Sequence, residues 1–521
     1  MVVWCGGLRI LVLTGKIAFP IVRSIAEDIS KRIGVSIDVD VLSVPVAALM
    51  TVKDVLEHLS RKPEEARVYD MIITPGLLVG DLDIVNRTLG VRCYKGSRYI
   101  GDLPAVVEEV VRRGANLSTT KPADVLLGIS KRADYGRLIQ NLEEGFLRAF
   151  KVGSIEIPLQ PPPFRIFAEV NIEEPIELVV KEARRLVNDG ADIIILGTHA
   201  DSNNPDLVKR AFRYVGKVIN APLGIDSINP REVEAAVNEG AVLVMNISRS
   251  FFHFVEELGR DLVYVLVPEH VEDQTAISRV RALERDLEDL RSLGVEKIIL
   301  DPVIPPPHFG AIEGIYAVSL TRRTIAGYPV LMSSANIVEM IDADSIGANA
   351  LIASLALEAG ASIILTTEDS WKTRGSVREV KRACLMCSVA YVRKSPPKDL
   401  GIDLLIAKSK EKPMRIPIAF EEDIMVDRYI PPSRLDRERF FVIQPDYDSG
   451  YIEVYIFSGN DKEKALYRVR GRDPRSIGRV ALRLSGVQDP EHSLYLGIEL
   501  SRAHEALRTG KRYEQDESLG L

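Results

Sequence analysis

The run Ala221-Pro-Leu-Gly-Ile-Asp-Ser227, followed about twenty residues later by Val242-Leu-Val-Met-Asn-Ile-Ser248, decides the fold. Each piece is a short apolar run closed by one polar residue, Asp226 in the first and Asn246 in the second. Between them, Pro230-Arg-Glu-Val-Glu-Ala-Ala-Val-Asn-Glu-Gly240 has the spacing of an amphipathic helix with a glycine stop. Strand, helix, strand at this spacing is a βαβ unit, and its connection should be right-handed. Parallel α/β folds put their chemistry at the carboxyl ends of the strands, where Asp226 and Asn246 fall.

The same pattern extends in both directions. Behind the stiff connector Pro158-Leu-Gln-Pro-Pro-Pro163, eight apolar strand candidates occur at 165–170, 192–197, 222–225, 241–245, 262–267, 297–300, 329–332 and 362–366. The helix-length segments between them start at Asn204-Pro205 and Asn229-Pro230 and stop at Gly190, Gly240, Gly294 and Gly360. The longest insert, Glu272 to Leu293, reads as a charged helix after the fifth strand. Eight strands alternating with helices over about 230 residues match the count and length of a (β/α)8 TIM barrel.

Read one by one, the strand ends carry Asn171, then Gly197-Thr-His199-Ala-Asp-Ser-Asn-Asn204, then Asp226, Asn246, Asp301, Ser333-Ser-Ala-Asn336 and Thr366-Thr-Glu-Asp369. Lys372 and Arg374 follow the last. A mouth ringed by Asn, Asp and Ser favours a neutral hydrogen-bonding ligand. Asp226, Asn246, Asp301 and Asn336 together suit a pterin. Its pyrimidine edge offers an exocyclic amine beside a ring N–H, two donors that one carboxylate accepts in parallel. Its carbonyl and neighbouring ring nitrogens need an amide. The alternative reading makes these residues caps of the following helices.

Val187-Asn-Asp-Gly-Ala-Asp-Ile-Ile-Ile-Leu-Gly197, Pro222-Leu-Gly-Ile-Asp226, Ala235-Ala-Val-Asn-Glu-Gly-Ala-Val-Leu-Val-Met-Asn246-Ile and Ile298-Ile-Leu-Asp301-Pro resemble the pterin-binding family. That family holds dihydropteroate synthase and the methyltetrahydrofolate-type methyltransferases. The arrangement, with a leading α/β domain and a small trailing one, resembles the archaeal dihydropteroate synthase-related proteins. The resemblance implies a cytoplasmic pterin enzyme of folate or methanopterin biosynthesis. It places the pterin, as substrate or ligand, on Asn171, Asp226, Asn246, Asp301 and Asn336.

Three functions follow from the resemblance. As a synthase-like transferase, the chain would join a pterin-methyl diphosphate to an arylamine, with Lys372 or Arg374 meeting the leaving group. The seventh strand lacks the synthase lysine, and Thr367-Glu-Asp stands where the synthase has Arg and His. As a methyltransferase, it would move a methyl group from a reduced pterin to a separate corrinoid protein. Ser334-Ala-Asn336-Ile-Val is similar to the Ser-Asn-Val-Ser turn of that branch, whose asparagine reaches the methylated ring nitrogen. As a protein without turnover, it would hold the pterin within a one-carbon complex. No motif calls for Mg2+, which stays open, as does a homo-oligomer; no other metal site is expected.

The flanks differ from the barrel. Leu8-Arg-Ile-Leu-Val-Leu-Thr14, Val35 to Leu42, Met71-Ile-Ile-Thr and Ala123-Asp-Val-Leu-Leu read as strands of a Rossmann-like or flavodoxin-like α/β domain over 1–157. Thr14-Gly-Lys16 lacks the spacing of a phosphate loop, so Lys16 reads as structural before it reads as a ligand group. The loops Pro75-Gly-Leu-Leu-Val-Gly-Asp and Lys95-Gly-Ser-Arg-Tyr-Ile-Gly-Asp could line a site or be turns. The barrel spans 158–395, and residues 396–521 form a small α+β domain. There Phe440-Phe-Val-Ile-Gln and Tyr451 to Phe457 form a hairpin, Leu494 to Leu507 a helix, and Lys511 onward a charged tail.

A net charge of −7 gives no reason to expect nucleic acid, and no apolar stretch is pure enough to span a bilayer. The amino terminus lacks the charged start of a signal peptide, and four cysteines in this length point to a reducing cytoplasm. Cys384-Leu-Met-Cys387 has no second cysteine pair and reads as a packed helix face. His199 and His308 read as loop residues.

Overall fold

In the computed structural model, Arg9–Thr14 (β1), Ser36–Val41 (β2), Met71–Thr74 (β3) and Cys93–Lys95 (β4) form a parallel sheet in the order β2-β1-β3-β4. The structure describes residues 7–129, 135–269, 271, 273–409, 421–422, 424–426, 430, 438–459 and 463–519. The amino-terminal residues 1–6, with their expected lack of a signal peptide, and Glu272 lie outside these. Strand β1 is apolar on both faces because both are covered. Leu11 and Leu13 pack into one core with Val55 and Val85, while Ile10 and Val12 pack into another with Val22 and Val106. A sheet buried on both sides reads as an unbroken apolar run.

One expected strand is helical. Ala123–Leu126 forms a short helical turn after Pro122. The turn directs Asp124 inward, where its carboxylate accepts from the Arg98 backbone N–H at 2.9 Å and from Nε at 2.8 Å. The fourth strand is Cys93–Lys95, too short to show a period. Its Lys95 is buried, with Nζ donating to the Leu78 carbonyl at 2.7 Å.

Arg148–Val152 (β5) and Ile155–Pro158 (β6) pair as an antiparallel hairpin. Val152 and Ile157 pack with Phe167, Ile193 and Val263 and close the amino end of the barrel behind it. The barrel strands are Arg165–Asn171 (β7), Ile193–Gly197 (β8), Leu223–Asp226 (β9), Leu243–Ile247 (β10), Val263–Leu266 (β11), Ile298–Leu300 (β12), Leu331–Ser333 (β13) and Ile363–Thr367 (β14). All pair in parallel, in the order β12-β11-β10-β9-β8-β7-β14-β13. A bridge between Leu300 and Val330, with the Leu300 N–H donating to the Pro329 carbonyl at 3.0 Å, joins β12 to β13 and closes the ring. The fold is a (β/α)8 barrel, with each expected strand within a few residues of its place.

Alternation along the strands divides the barrel's apolar residues. Phe167, Ile193, Ile195, Leu243, Val265, Ile299 and Ile363 fill the interior. Ile166, Ile194, Val244, Ile298 and Ile364 face the surrounding helices. The last of these helices, Ser376–Val392, carries Cys384 and Cys387, both buried and unbridged; burial holds both thiols above their usual range.

The end of that helix is tied to the amino-terminal sheet domain. Asp102 takes Arg393 in a buried ion pair, with Nε donating at 2.7 Å. Gly101 lies so close that a Cβ there would fall 1.3 Å from the Arg393 carbonyl oxygen. These parts form one compact unit, Met1–Leu404, and Leu405–Leu521 forms a second. In the second, Arg439–Asp446 (β15), Tyr451–Ser458 (β16) and Tyr467–Gly471 (β17) make an antiparallel sheet. Helices Pro474–Ser485 and Pro490–Thr509 pack on it through Ile477, Leu496 and Leu500. The stretch read as a charged tail is held to this sheet. Gln515 accepts from the Ile443 N–H and donates to the Phe441 carbonyl, both at 2.9 Å. Among the described residues, no helix is long and apolar enough to cross a membrane.

Removing one partner of a buried ion pair leaves the other charge stranded, at a cost of ~3–5 kcal/mol. Asp102→Ala is therefore expected to lower the unfolding free energy of the first unit by about that amount in urea denaturation. A loss below ~1 kcal/mol, the level of an exposed pair, would contradict this account.

Candidate functional site

The barrel's apolar filling stops one inward step before the strands end. In β7 the inward residues after Phe167 are Glu169 and Asn171, and the register sets Thr367 beside Glu169 and Gly197 beside Asn171. Gly197 also pairs with Asp226. The top inward layer is thus acidic and polar where the layers below are aliphatic. Gly197 makes room for it: a Cβ there would lie 2.5 Å from Glu169 Oε1.

Four of the expected residues come together at this end. Asn246 Nδ2 donates to Asp226 Oδ2 at 2.7 Å. Asn246 lies at an irregularity in the β10–β11 register with φ 52°, a left-handed conformation that asparagine tolerates better than most residues. Asn171 Nδ2 donates to Asp369 Oδ1 at 2.9 Å. Asp301, 4 % exposed, follows β12 and accepts the Val303 N–H at 2.8 Å. Val303 has φ 61°, a strained geometry for a β-branched residue. Both left-handed residues stand at the mouth.

The carboxyl groups here, buried in Asp301 and half-buried in Glu169 and Asp226, have little to balance them. Burial, reinforced by the nearby charges of Asp226 and Asp369, raises Glu169 well above the carboxylate range. Burial raises Asp226 too, against the opposing hydrogen bond from Asn246. Asp301 is pushed up to about 7 by burial, opposed by the Val303 N–H, supported by the Asp226 charge and opposed by Arg279. Glu169 has no hydrogen-bond partner among the described residues. Burial thus makes each of these carboxyls harder to ionise than a surface one.

A second set of carboxylates fixes the loops. Glu232, fully buried, accepts from Thr198 Oγ1 at 2.9 Å, Ser227 Oγ at 2.6 Å, the Asn204 N–H at 2.7 Å and Ser202 Oγ. Burial pushes its carboxyl upward, but these bonds prevail and hold it below its ordinary range. Glu368 takes Arg185 at 2.6 Å and caps the last barrel helix through the Gly375 N–H at 2.7 Å and the Val377 N–H at 3.0 Å. Glu339 accepts from the Asp369 N–H at 3.1 Å and from the Ser370 and Thr373 hydroxyls.

The remaining expected residues have other bonds. Asn336 Nδ2 donates to the Ile304 carbonyl at 2.9 Å, which sets it against the loop after Asp301. Lys372 Nζ donates to the Ile341 carbonyl at 2.7 Å and pairs with exposed Asp342 at 3.2 Å. The Arg374 guanidinium lies 5.2 Å from the centre of the Trp371 ring. Lys372 is not bonded to the acidic layer among the described residues. His199 is exposed, and His308 occupies a turn with φ 68°. No group of three or more His, Cys, Asp or Glu residues is placed to hold a metal ion among the described residues.

Sequence reading passed over Glu169, and it named Thr367 and Asp369 at the eighth strand end without giving either a part in binding. Glu169 lies two residues before Asn171, so the strand period alone sets both on the inner face. Thr367 Oγ1 is buried and has no partner among the described residues.

Comparisons with known proteins bear on all parts of the chain. Residues 435–516 match the PterinBD-DUF4346 family model, and residues 8–98 match a family of unknown function, DUF6513. The chain is 29% identical over 541 residues to an uncharacterized protein of Methanocaldococcus jannaschii, with 99% of each chain covered. Among solved structures it is similar to Yersinia pestis dihydropteroate synthase (18% identity, 46% of this chain and 98% of that one, TM-score 0.38). It is also similar to the dihydropteroate synthase of Thermus thermophilus (19%, 45% and 96%, TM-score 0.37) and to Mycobacterium tuberculosis Rv1207 (20%, 45% and 95%, TM-score 0.36).

The raised Asp301 sets the sign of a pH effect. A carboxyl whose pKa rises from 3.8 to about 7 on folding binds more proton in the native state across that window, so its contribution to stability falls as pH rises through it. Asp301→Asn, which mimics the protonated form, should lose less stability than the parent between about pH 5 and about pH 7.5 in urea denaturation. Equal losses would show that Asp301 titrates normally.

Proposed function

We propose that this chain is a pterin-binding enzyme related to dihydropteroate synthase, with the pterin at the carboxyl end of the barrel. The observation that carries this reading is the Asp226–Asn246 pair at 2.7 Å beside buried Asp301. A carboxylate accepts in parallel from the exocyclic amine and ring N–H of a pyrimidine edge, and an amide answers the adjacent carbonyl and ring nitrogen. Asn171 and the hydroxyl of Thr367 would complete the polar rim. The family resemblance of residues 187–302 and the family matched at 435–516 support the same ligand.

For the reaction, the resemblance favours condensation of a pterin-methyl diphosphate with an arylamine. The amine nitrogen attacks the methyl carbon, the carbon–oxygen bond to diphosphate breaks, the departing anion takes the electron pair, and the proton that the amine nitrogen gives up passes to that anion or to water. That anion needs cations or donors. Lys372 is the nearest candidate in sequence, and its ion pair with a fully exposed Asp342 is weak enough to exchange for a ligand oxygen.

A second reading has its own observation. Methyl transfer from a reduced pterin to a corrinoid protein requires a proton at the ring nitrogen that loses the methyl group. Asp301, with its pKa pushed up to about 7, and the raised Glu169 are donors suited to that step, and Asn336 lies beside the same loop.

Calorimetric titration with a pterin-methyl diphosphate, a methyl-tetrahydropterin and an unsubstituted pterin tests the ligand first. Asp226→Ala should weaken binding roughly 10- to 150-fold, the equivalent of ~1.5–3 kcal/mol for a hydrogen bond to a charged acceptor. If no pterin binds, or if the variant binds as well as the parent, the reading fails. Preference for the diphosphate supports the synthase; preference for the methylated ring supports methyl transfer.

A further inference from the structure

A cavity of about 270 Å3 opens at the carboxyl ends of β1 and β3, in the amino-terminal sheet and away from the barrel's mouth. Strand order reverses between these two strands, and open parallel sheets bind ligands in the crevice outside such a reversal. The loops Pro75–Leu77 and Gly96–Ile100, which the sequence left undecided between site and turn, line it.

Two polar side chains inside it have nothing to bond. Thr14, 2 % exposed, and Ser97, 9 % exposed, both line the cavity, and neither hydroxyl has a partner among the described residues. Both hydroxyls are open to the cavity, where a ligand can supply the partners that the protein does not. The helix Phe19–Ile33 begins at the same place without a side-chain cap; Pro20 has no N–H and the Val22 N–H donates to the Ala18 carbonyl, so the amides of Phe19 and Ile21 are those left to an anion.

The lining has one sign of charge. It holds Arg98 and Lys394 and no carboxylate residue. The Arg98 guanidinium is held by Asp124 and Asp399, at 2.8 and 3.3 Å. Lys394 Nζ lies 4.4 Å from the centre of the Tyr391 ring and has no carboxylate partner among the described residues. Apart from Thr74 and Tyr99, the rest of the wall is apolar, with Ile17, Val22, Val46, Leu77 and Leu103 among it. The loops meet backbone to backbone, since a Cβ on Gly76 would lie 2.5 Å from the Gly96 carbonyl oxygen. The volume is near the lower end of the ~300–1,000 Å3 usual for ligand pockets.

We propose that this cavity is a second ligand site, which takes a mononucleotide-sized molecule: a planar heterocycle carrying one anionic group. The heterocycle lies against the apolar wall, the Thr14 and Ser97 hydroxyls bond its polar atoms, and the anion meets the helix amides and Lys394. Because Lys394 follows Arg393, the residue clamped to Asp102, the ligand would bridge the sheet domain and the last barrel helix.

The test is calorimetry of the full chain with adenosine, uridine and flavin 5′-monophosphates, with adenosine and inorganic phosphate as controls. At least one nucleotide should bind, also in the presence of saturating pterin. Ser97→Ala should weaken it at least about tenfold, and Lys394→Ala should weaken the nucleotide but not adenosine. Hydrogen exchange of the parent protein should show protection over residues 14–22 and 96–103 and none over 224–227 or 299–303. The proposal is overturned if none of the three nucleotides binds at about 1 mM, if both variants bind like the parent, or if protection falls at the barrel mouth. Adenosine binding as tightly as its monophosphate would overturn the anion's part. A failed pterin titration leaves these outcomes unaffected, so the two readings fail separately.

Discussion

The carboxyl end of this barrel depends on half-buried Glu169 and Asp226 standing close together with no cation bonded to either among the described residues. Burial disfavours a charged carboxylate strongly, and adjacent carboxylates disfavour each other's ionisation. The carboxyl groups of this layer therefore ionise less readily than surface ones. Asp301 has the same character, moderated by Arg279. Such groups donate as well as accept, as a ring with donors and acceptors along one edge requires. A barrel selected only for stability would carry another aliphatic layer here, as it does below.

The surrounding structure holds this layer in place. Glu232, Glu339 and Glu368 gather hydroxyls and amides from the loops that follow β8, β9 and β14, and Glu368 also takes the guanidinium of Arg185 from the helix Ile176–Asp189 before β8. The left-handed residues Asn246 and Val303 bend the chain just where β10 and β12 end. Strain of this kind persists when the neighbouring structure over-determines it, and it gathers at functional sites. At the opposite end, the β5–β6 hairpin shuts the interior with Val152 and Ile157.

Much of this was legible in the sequence, for identifiable reasons. All eight barrel strands are buried on both faces, so each reads as an apolar run, and glycine or Asn-Pro marks the helices between. Asp226, Asn246 and Asp301 were legible because each closes such a run. Glu169 was not, because it sits inside a run and only its register shows that it faces inward. Ala123-Asp-Val-Leu-Leu misled because an apolar run of five cannot separate a strand from a buried turn, and the bonds from Arg98 to Asp124 decide for the turn. The Cys93–Lys95 strand and the cavity above β1 escaped because they depend on contacts distant in sequence. Likewise, nothing near Lys511 reveals that Gln515 will dock on β15.

The most direct measurement of the central claim is a crystal structure of the protein with a reduced pterin bound. The account predicts the pyrimidine edge within ~2.7–3.2 Å of the Asp226 carboxylate, with Asn246 and Asp301 in contact with the ring. A ring bound elsewhere, or seated at the mouth with that edge turned away from Asp226, would contradict it.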